Sequence, residues 1–370
     1  MYVMPYQHVQ GISPGCLVKG TQRILHVPVG NSLLGRVVDG LGQPIDQKGP
    51  VVGDEFYPVF NTPPDAMTRP RITIPIQTGI RVIDSLFSIG EGQRVGIFAG
   101  SGVGKSTLLG MIARNIDADV NVIALIGERG REVREFIEKD LGEEGLKKTI
   151  LVVATSDTSP LMRIRAAHTA TTIAEFFRDQ NKKVVLMMDS LTRFARAQRE
   201  IGLATGEPPT AGAFPPSVFT LLPELLERAG TSQRGSITGF YTVLVEGDDF
   251  NEPITDTVRG ILDGHIYLDR GLAGKAFYPA IDVTQSISRA FTDIVTPEHI
   301  KSAMAFRESY ALYKDQEDLI NIGAYQRGTN FRIDQVIAKK EEIDSFLRQS
   351  IDEKTDFDKT YQMLKTLNIR

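Results

Sequence analysis

From about residue 76, short apolar runs alternate with stretches whose apolar residues recur at helical spacing. The runs are RVGIFAG from residue 94, NVIALIG from 121, TILVVAT from 149, KVVLMMD from 183, GSITGFYTVLV from 235 and GHIYL from 264. Strands that are apolar along nearly their whole length and alternate with helices are typical of a parallel sheet covered on both faces. The pattern therefore predicts an α/β domain over residues 76–295.

The regions on either side have different patterns. Residues 1–60 are rich in Gly, Pro and Val, and the runs ILHVPV and LGRVVDG are separated by the turn signals SPG, VGN and DGLGQP, which predicts β structure. From residue 296 onward the apolar residues follow helical spacing among many charges, as in PEHIKSAMAFRESYALYKDQEDLINIG. We therefore expect three domains, over residues 1–75, 76–295 and 296–370.

Composition narrows the class of protein. The chain has 370 residues, is 41% apolar and carries a net charge of −4, which allows a sizeable core and disfavours a broad basic surface for nucleic acid. A single cysteine, Cys16, excludes an intramolecular disulfide and fits a reducing compartment. No apolar run approaches the roughly 20 residues that span a bilayer, and the N-terminus does not resemble a secretory signal. We expect a cytoplasmic protein.

The segment FAGSGVGKSTLL at 98–109 follows a strand and opens a helix, which is the context of a Walker A loop. Glycines let the backbone N–H groups surround phosphate oxygens, and the helix directs its positive end at them. Lys105 would reach the β- and γ-phosphates, and Ser106 would offer its hydroxyl to Mg²⁺. Ala99 stands where the strict motif has glycine, and a ligand-free strand–helix turn is the alternative. The predicted nucleotide-binding residues here are Ala99, Gly100, Ser101, Gly102, Val103, Gly104, Lys105, Ser106 and Thr107.

Two acidic residues stand at the ends of predicted strands, where ligands bind in such sheets. Glu128 could orient and deprotonate the water that attacks the γ-phosphate, and Arg129 beside it could hold Glu128 or touch phosphate. A solvated cluster of surface ion pairs explains this charge-dense segment equally well. Asp189 is placed to hold Mg²⁺ in the manner of a Walker B residue. Arg193, one helical turn later, could face the γ-phosphate or form a surface ion pair.

Motifs along nearly the whole chain resemble those of the rotary-type hexameric ATPases, and within them the ATPases of bacterial flagellar protein export. They are PVGNSLLGRVVDGLGQPID at 28–46, AGSGVGKS at 99–106, LIGERGREV at 125–133, DSLTRFARAQREIGLATGEPP at 189–209, AFPPSVFTLLPELLERAG at 213–230, GSITGFYTVLVEGDDFNEPITD at 235–256, YPAIDVTQSISR at 278–289 and EDLINIGAYQRGTNFRID at 317–334.

The resemblance implies a RecA-like P-loop core in a six-membered ring, with ATP and Mg²⁺ at the subunit interfaces. It implies that Glu128 is the general base, that Tyr278 stacks on the adenine of its own subunit, and that Arg289 is an arginine finger for the neighbour. Read without the family, Arg289 is an ordinary surface arginine. Relatives carry a six-stranded β-barrel before the core, so residues 1–75 are expected to hold part of that barrel and a linker.

The same resemblance implies a function and partners. ATP hydrolysis would energise or prime the export of flagellar proteins through the type III secretion apparatus, at the cytoplasmic face of the inner membrane. The implied partners are further copies of the chain in a homo-hexamer, central stalk and regulator proteins, export chaperone–substrate complexes and the export gate, with no nucleic acid. The Pro-rich segment over 204–219 is expected to line the ring's channel and to contact a central stalk or passing substrate, with Phe214 as the residue that tests this; a plain connector is the alternative.

Four alternatives remain open at this point. The chain could be the ATPase of a virulence injectisome, or a catalytic subunit of an ATP synthase or vacuolar-type enzyme. It could also be a RecA-like nucleic-acid motor, which the charge of −4 disfavours. A nucleotide-binding subunit without turnover is disfavoured by the presence of all four of Lys105, Glu128, Asp189 and Arg289.

Overall fold

The computed structural model describes residues 3–6, 9–245, 247, 249–367 and 369. The strands are β1 (His26–Val29), β2 (Val37–Val38), β3 (Glu55–Pro58), β4 (Pro75–Ile76), β5 (Ile89–Gly90), β6 (Arg94–Ala99), β7 (Val120–Ile126), β8 (Thr149–Ala154), β9 (Lys183–Asp189), β10 (Gly230–Thr231), β11 (Ser236–Leu244), β12 (Gly264–Leu268) and β13 (Ile287–Ser288).

The helices are α1 (Arg81–Leu86), α2 (Lys105–Asn115), α3 (Gly130–Glu135), α4 (Gly142–Lys147), α5 (Pro160–Asp179), α6 (Leu191–Ala204), α7 (Pro216–Leu226), α8 (Pro253–Ile261), α9 (Arg270–Gly274), α10 (Phe291–Ile294), α11 (Pro297–Asp315), α12 (Glu317–Asn321), α13 (Phe331–Ala338), α14 (Lys340–Leu347) and α15 (Phe357–Leu367). A π-helical turn, Phe136–Leu141, joins α3 to α4. In the described part of the chain, no helix is long and apolar enough to cross a membrane.

The central sheet has the strand order β13-β12-β6-β11-β9-β7-β8-β2, with β10 paired to β11. From β12 to β2 neighbouring strands are parallel, while β13 at one edge is antiparallel to β12. The six apolar runs in the sequence form β6, β7, β8, β9, β11 and β12, so the predicted parallel sheet is confirmed. Every residue of β7 and of β8 is buried, because helices cover both faces of the sheet.

Two hydrophobic cores lie on the two faces of this sheet. One joins Ile97 of β6 and Leu109 of α2 to apolar residues of the C-terminal helices. The other joins Val122 of β7 to Ala170 of α5 and Phe194 of α6. The helix α2, which follows the P-loop, is therefore held by the first core against the sheet.

Residues 1–75 do not stand apart from the core in the described structure. β1 and β3 form an antiparallel ribbon, but β2 extends the central sheet in parallel beside β8. The ribbon is also fastened through a buried ion pair, in which Arg228 Nη2 lies 2.8 Å from Glu175 Oε2 while Arg228 Nη1 donates to the carbonyl of Val59 at 2.9 Å. The boundaries of the three predicted domains stay a prediction.

The C-terminal region is helical, as predicted, from α11 to α15. Arg81 at the start of α1 donates from Nε to the carbonyl of Phe346 at 2.8 Å. The N–H of Gln349 donates to the carbonyl of Tyr278 at 3.0 Å, and Arg307 donates from Nη2 to the carbonyl of Ser286 at 2.9 Å. The helix α11 and the loop after α14 are thus hydrogen-bonded to the segment 278–289, which contains Arg289.

The Pro-rich loop connects α6 to α7. Its aromatic residue, Phe214, is only 4% exposed, and the guanidinium of Arg199 lies 5.0 Å from the centre of its ring. The ring therefore packs in the core and is not available for the partner contact expected from the sequence. The exposed residues of the loop are 205, 206 and 208–213.

Candidate nucleotide-binding and catalytic site

The loop between β6 and α2 has the backbone of a phosphate-binding turn. Gly102 and Gly104 have φ of 78° and 89°, in the left-handed region that favours glycine. A Cβ on Gly104 would lie 3.4 Å from Cε1 of Tyr278, so the aromatic ring borders the loop. Ala99, which replaces the glycine of the strict motif, is the last residue of β6 and is buried in the core. Its methyl group therefore does not narrow the loop.

A cleft of about 560 Å³ opens above this loop, at the carboxyl edge of the sheet. Its lining includes Gly100, Ser101, Gly102, Gly104, Lys105, Ser106, Thr107, Glu128 and Arg193 from the predicted set. Glu132 and Arg270 also line it and were missed from the sequence. Arg270 could have been found, because it stands two residues past the end of β12 and ligands bind beyond the carboxyl ends of parallel strands.

The P-loop lysine is paired with the strand-tip aspartate. Lys105 Nζ lies 2.5 Å from Asp189 Oδ1 and 3.9 Å from Glu128 Oε1. The same Asp189 oxygen accepts a hydrogen bond from Thr242 Oγ1 at 2.7 Å. Three chain segments far apart in the sequence therefore bring one cation and two carboxylates to the same end of the sheet.

Of the two carboxylate oxygens of Glu128, one accepts a hydrogen bond and the other does not. Arg193 Nη2 lies 3.2 Å from Glu128 Oε2, and Arg193 also donates to the carbonyl of Gly127. Glu128 Oε1 is buried and has no hydrogen-bond partner among the described residues. Burial raises the pKa of Glu128 to about 7, and the charge of Asp189 and a hydrogen bond with Glu132 add to the rise. A carboxyl group with a pKa near 7 is suited to accept a proton at neutral pH.

Arg129 does not hold Glu128 in this structure. Its side chain is 74% exposed, and the carboxylate nearest to it is that of Glu132, at 3.8 Å. The partner of Glu128 is instead Arg193, which lies on α6 and lines the cleft. That Arg129 touches phosphate stays a prediction.

Arg289 lies away from the P-loop of its own chain. It is exposed, and its N–H donates to the carbonyl of Asp263 at 2.9 Å, while the N–H of Asp263 donates to the carbonyl of Arg94. Arg94 begins β6 and Ala99 ends it, so roughly 17 Å of strand, at about 3.3 Å per residue, separates this point from the P-loop. The structure brings Lys105, Glu128, Asp189, Arg193 and Tyr278 together and leaves Arg289 at the other end of the sheet.

The residues of the cleft fit a nucleoside triphosphate with Mg²⁺. The glycine loop and the N-terminus of α2 suit phosphate oxygens, and Glu128, whose Oε1 has no hydrogen bond, lines this space. Ser106 and Asp189 offer the hydroxyl and carboxylate oxygens that Mg²⁺ prefers. Mg²⁺ commonly takes only one or two carboxylates from the protein and the rest of its ligands from water and substrate phosphates. Fold and site together define a P-loop nucleotide-binding protein.

Comparison with known proteins gives the family. Residues 79–288 match the nucleotide-binding domain of the ATP synthase alpha/beta family, and residues 295–366 match the T3SS EscN ATPase C-terminal domain. The flagellum-specific ATP synthase of Bacillus subtilis (strain 168) is 56% identical over 365 residues, which cover 99% of this chain and 83% of that protein.

Two solved structures of the assembled ATPase EscN from enteropathogenic E. coli also match. One has a TM-score of 0.94 at 49% identity, and the other, in complex with the central stalk EscO, has 0.92 at 48%. Each match covers 98% of this chain and 88% of the matched chain. The chain belongs to the ATP synthase alpha/beta family and, within it, to the flagellar and type III secretion ATPases.

Proposed function

We propose that this chain hydrolyses ATP to ADP and phosphate at the cleft above the P-loop. The observation that carries the proposal is the position of Glu128. Its Oε1 has no hydrogen bond and lies 3.9 Å from Nζ of the P-loop lysine, and its pKa is near 7. A base is thereby placed beside the group that would hold the transferred phosphate. A buried carboxylate oxygen without a hydrogen bond needs an explanation, and a catalytic role supplies one.

The reaction assigns each side chain a role. Water attacks the γ-phosphorus, its proton passes to Glu128, and the bond from that phosphorus to the bridging oxygen of ADP breaks. Lys105 binds the β- and γ-phosphates, and Arg193 keeps Glu128 turned into the cleft. Mg²⁺ accompanying ATP would be held by Ser106 and Asp189 and would neutralise phosphate charge.

One further catalytic side chain, Arg289, would come from another subunit. Its exposure and its distance from its own P-loop suit a guanidinium that reaches the nucleotide of the adjacent copy in a homo-hexamer. Fingers supplied in this way contribute about 10³–10⁵ in rate by stabilising charge on the transferring phosphoryl group. The relative EscN has been solved as an assembled ATPase, which supports the ring.

The biological role follows from the family. The enzyme would energise or prime flagellar protein export from the cytoplasmic face of the inner membrane, in contact with a central stalk, a regulator, chaperone–substrate complexes and the export gate. The stalk complex of EscN supports the stalk as a partner. Motility restored to a strain without its flagellar ATPase would support this role, and restored injectisome secretion alone would favour the virulence system.

The test of the catalytic proposal is phosphate release by the wild type and by Glu128→Gln. Loss of the base should lower kcat by about 10²–10⁴ while ATP binding is kept. Glu135→Gln is the matched control, since Glu135 lies on α3 in a surface ion pair with Lys139. Unchanged turnover in Glu128→Gln would overturn the assignment of the base.

Assembly is tested separately, by measuring the ATPase rate per subunit against protein concentration. An arginine supplied by the neighbour predicts steep activation as rings form. A rate per subunit that stays flat across the assembly range would show that each chain completes its own site, and it would remove Arg289 from the mechanism.

A further inference from the structure

Arg289 is carried by the edge of the sheet. The preceding strand β13 has two residues, and its pairing with β12 aligns Ser288 with Gly264. Ser288 is buried and Arg289 is exposed, as the alternation of side chains along a strand requires. Such a short edge strand gives little support to a side chain that has to reach across a subunit interface. The position of Arg289 therefore depends on the groups that hydrogen-bond to β13.

One buried amide supplies that support. Gln93, at the entry to β6, has no exposed surface. Its Nε2 donates to the carbonyl of Asp263 at 2.9 Å and to Ser288 Oγ at 3.0 Å, and its Oε1 accepts from the N–H of Gly90 at 2.9 Å. The carbonyl of Asp263 is also the acceptor for the N–H of Arg289, at 2.9 Å. One side chain thus holds both the residue before Arg289 and the carbonyl that anchors Arg289 itself.

We infer that Gln93 is a positioning residue for Arg289, and that through it Gln93 acts on ATP bound to the neighbouring subunit. This inference rests on the proposed role of Arg289 in trans. Ala99 lies six positions after Gln93 along extended chain, about 20 Å at roughly 3.3 Å per residue. Replacing the Gln93 side chain should therefore leave the nucleotide cleft of the same subunit unchanged.

The expected size of the effect comes from the finger. Removing Arg289 should cost about 10³–10⁵ in rate, whereas a displacement of about 1 Å in a reacting constellation costs about 10². Gln93→Met keeps the length of the side chain and removes the amide. It should lower kcat about ten- to a hundredfold without changing the KM for ATP. Ser288→Ala removes one of the bonds to Gln93 and should have a smaller effect of the same kind.

The chain offers a matched control pair. Gln198 Nε2 donates to Ser217 Oγ at 3.0 Å, so a glutamine amide and a serine hydroxyl meet there as Gln93 and Ser288 do. Gln198→Met and Ser217→Ala break this pair between α6 and α7, away from β13. All four variants are first compared by thermal unfolding. If Gln198→Met lost as much turnover as Gln93→Met at a similar Tm, the inference would be overturned.

Mixed rings separate the two subunits' contributions. The Glu128→Gln subunit has an inactive catalytic site but a correctly placed Arg289. The Gln93→Met subunit has an intact catalytic site but a displaced Arg289. A ring interface is heterologous, so each one joins the catalytic site of one subunit to the Arg289 of the next. After equal mixing before assembly, about a quarter of the interfaces therefore combine an intact site from a Gln93→Met subunit with a correctly placed Arg289 from a Glu128→Gln subunit. Activity should therefore rise from near zero towards a quarter of the wild-type rate. The reference mixture is Arg289→Ala with Glu128→Gln.

The outcomes distinguish the two ideas. Recovery in both mixtures supports the inference. Recovery only with Arg289→Ala overturns it and keeps the role of Arg289 in trans, since the defect of Gln93→Met then lies in its own subunit. Recovery in neither mixture overturns the role of Arg289 in trans, and the inference falls with it. If Gln93→Met does not fold, Ser288→Ala replaces it in the same mixture and is judged in the same way.

Discussion

Lys105 Nζ lies 2.5 Å from Oδ1 of Asp189, so the P-loop cation is paired with a buried carboxylate before any phosphate reaches it. Removing one partner of a buried pair leaves an uncompensated charge, which is strongly destabilising. ATP with its metal offers both groups new partners. The pair therefore links the stability of the cleft to nucleotide binding.

Lys105→Met should lower the Tm of the nucleotide-free protein and abolish its rise with MgATP. The wild type should gain about 2.7 kcal/mol at a nucleotide concentration of 100 times Kd. Thermal unfolding with and without MgATP measures both effects, with the exposed Lys139→Met as control. A rise in the variant equal to that of the wild type would contradict the role of Lys105.

The pH dependence of the enzyme should carry the signature of Glu128. Its pKa is raised to about 7, and only the ionised form can accept a proton, so kcat/KM should fall about tenfold per pH unit below 7. Glu132 helps to raise that pKa, so Glu132→Gln should shift the acid limb to lower pH. The control is Glu135→Gln, whose profile should match the wild type. An acid limb unmoved by Glu132→Gln would speak against this arrangement.

Tyr278 should act through its ring and not through its hydroxyl. The side chain is 43% exposed beside the P-loop, and its hydroxyl only donates to the carbonyl of Ala273, at 3.3 Å. Stacking of an aromatic side chain on a base is worth about 1–3 kcal/mol, so Tyr278→Ser should weaken ATP binding by about ten- to a hundredfold. Tyr278→Phe should bind as the wild type does. Calorimetry with ATP and with tripolyphosphate checks this, because tripolyphosphate has no base and should bind all three proteins equally.

The buried pair of Arg228 and Glu175 should be a major source of stability. Their side chains are 2% and 0% exposed, and Arg228 also donates to the carbonyl of Val59. Glu175→Gln should lower the free energy of unfolding by about 3–5 kcal/mol, since it leaves a buried cation without its partner. Urea titration measures the loss. Glu138→Gln breaks the exposed pair with Arg134 and should change stability by no more than about 1 kcal/mol; equal losses in the two variants would refute the prediction.

Sequence reasoning succeeded where the chemistry is local to a strand or its tip. The apolar runs predict β6 to β9, β11 and β12, and the rule that ligands bind at carboxyl ends directs attention to Glu128 and Asp189. It failed where packing between distant elements decides. The choice of Arg193 over Arg129 depends on how α6 crosses β7, and a Cβ on Gly127 would lie 2.8 Å from Arg193 Cδ. No pattern in the sequence reveals that close approach.

Burial of single side chains was equally hidden. Phe214 stands in a loop of prolines and small residues, which predicts exposure, yet its ring is covered by Arg199 and the core. The run LGRVVDG predicts β structure where β2 lies, but the place of β2 in the central sheet depends on its pairing with β8. Gln93 belongs to no motif, because its proposed role depends on three hydrogen-bond partners that lie beside its amide only after folding.

The two hydrogen bonds from the C-terminal region, Gln349 N–H to the carbonyl of Tyr278 and Arg307 to the carbonyl of Ser286, have a mechanical consequence. A tilt of the C-terminal region against the sheet would displace Tyr278 and Arg289, the proposed adenine contact and the proposed arginine finger, in a single movement. A partner that moves the C-terminal region would thus act on both residues together and could set the order in which the sites of a ring hydrolyse ATP. By reciprocity, the nucleotide held at each site would set the force that this region exerts in return.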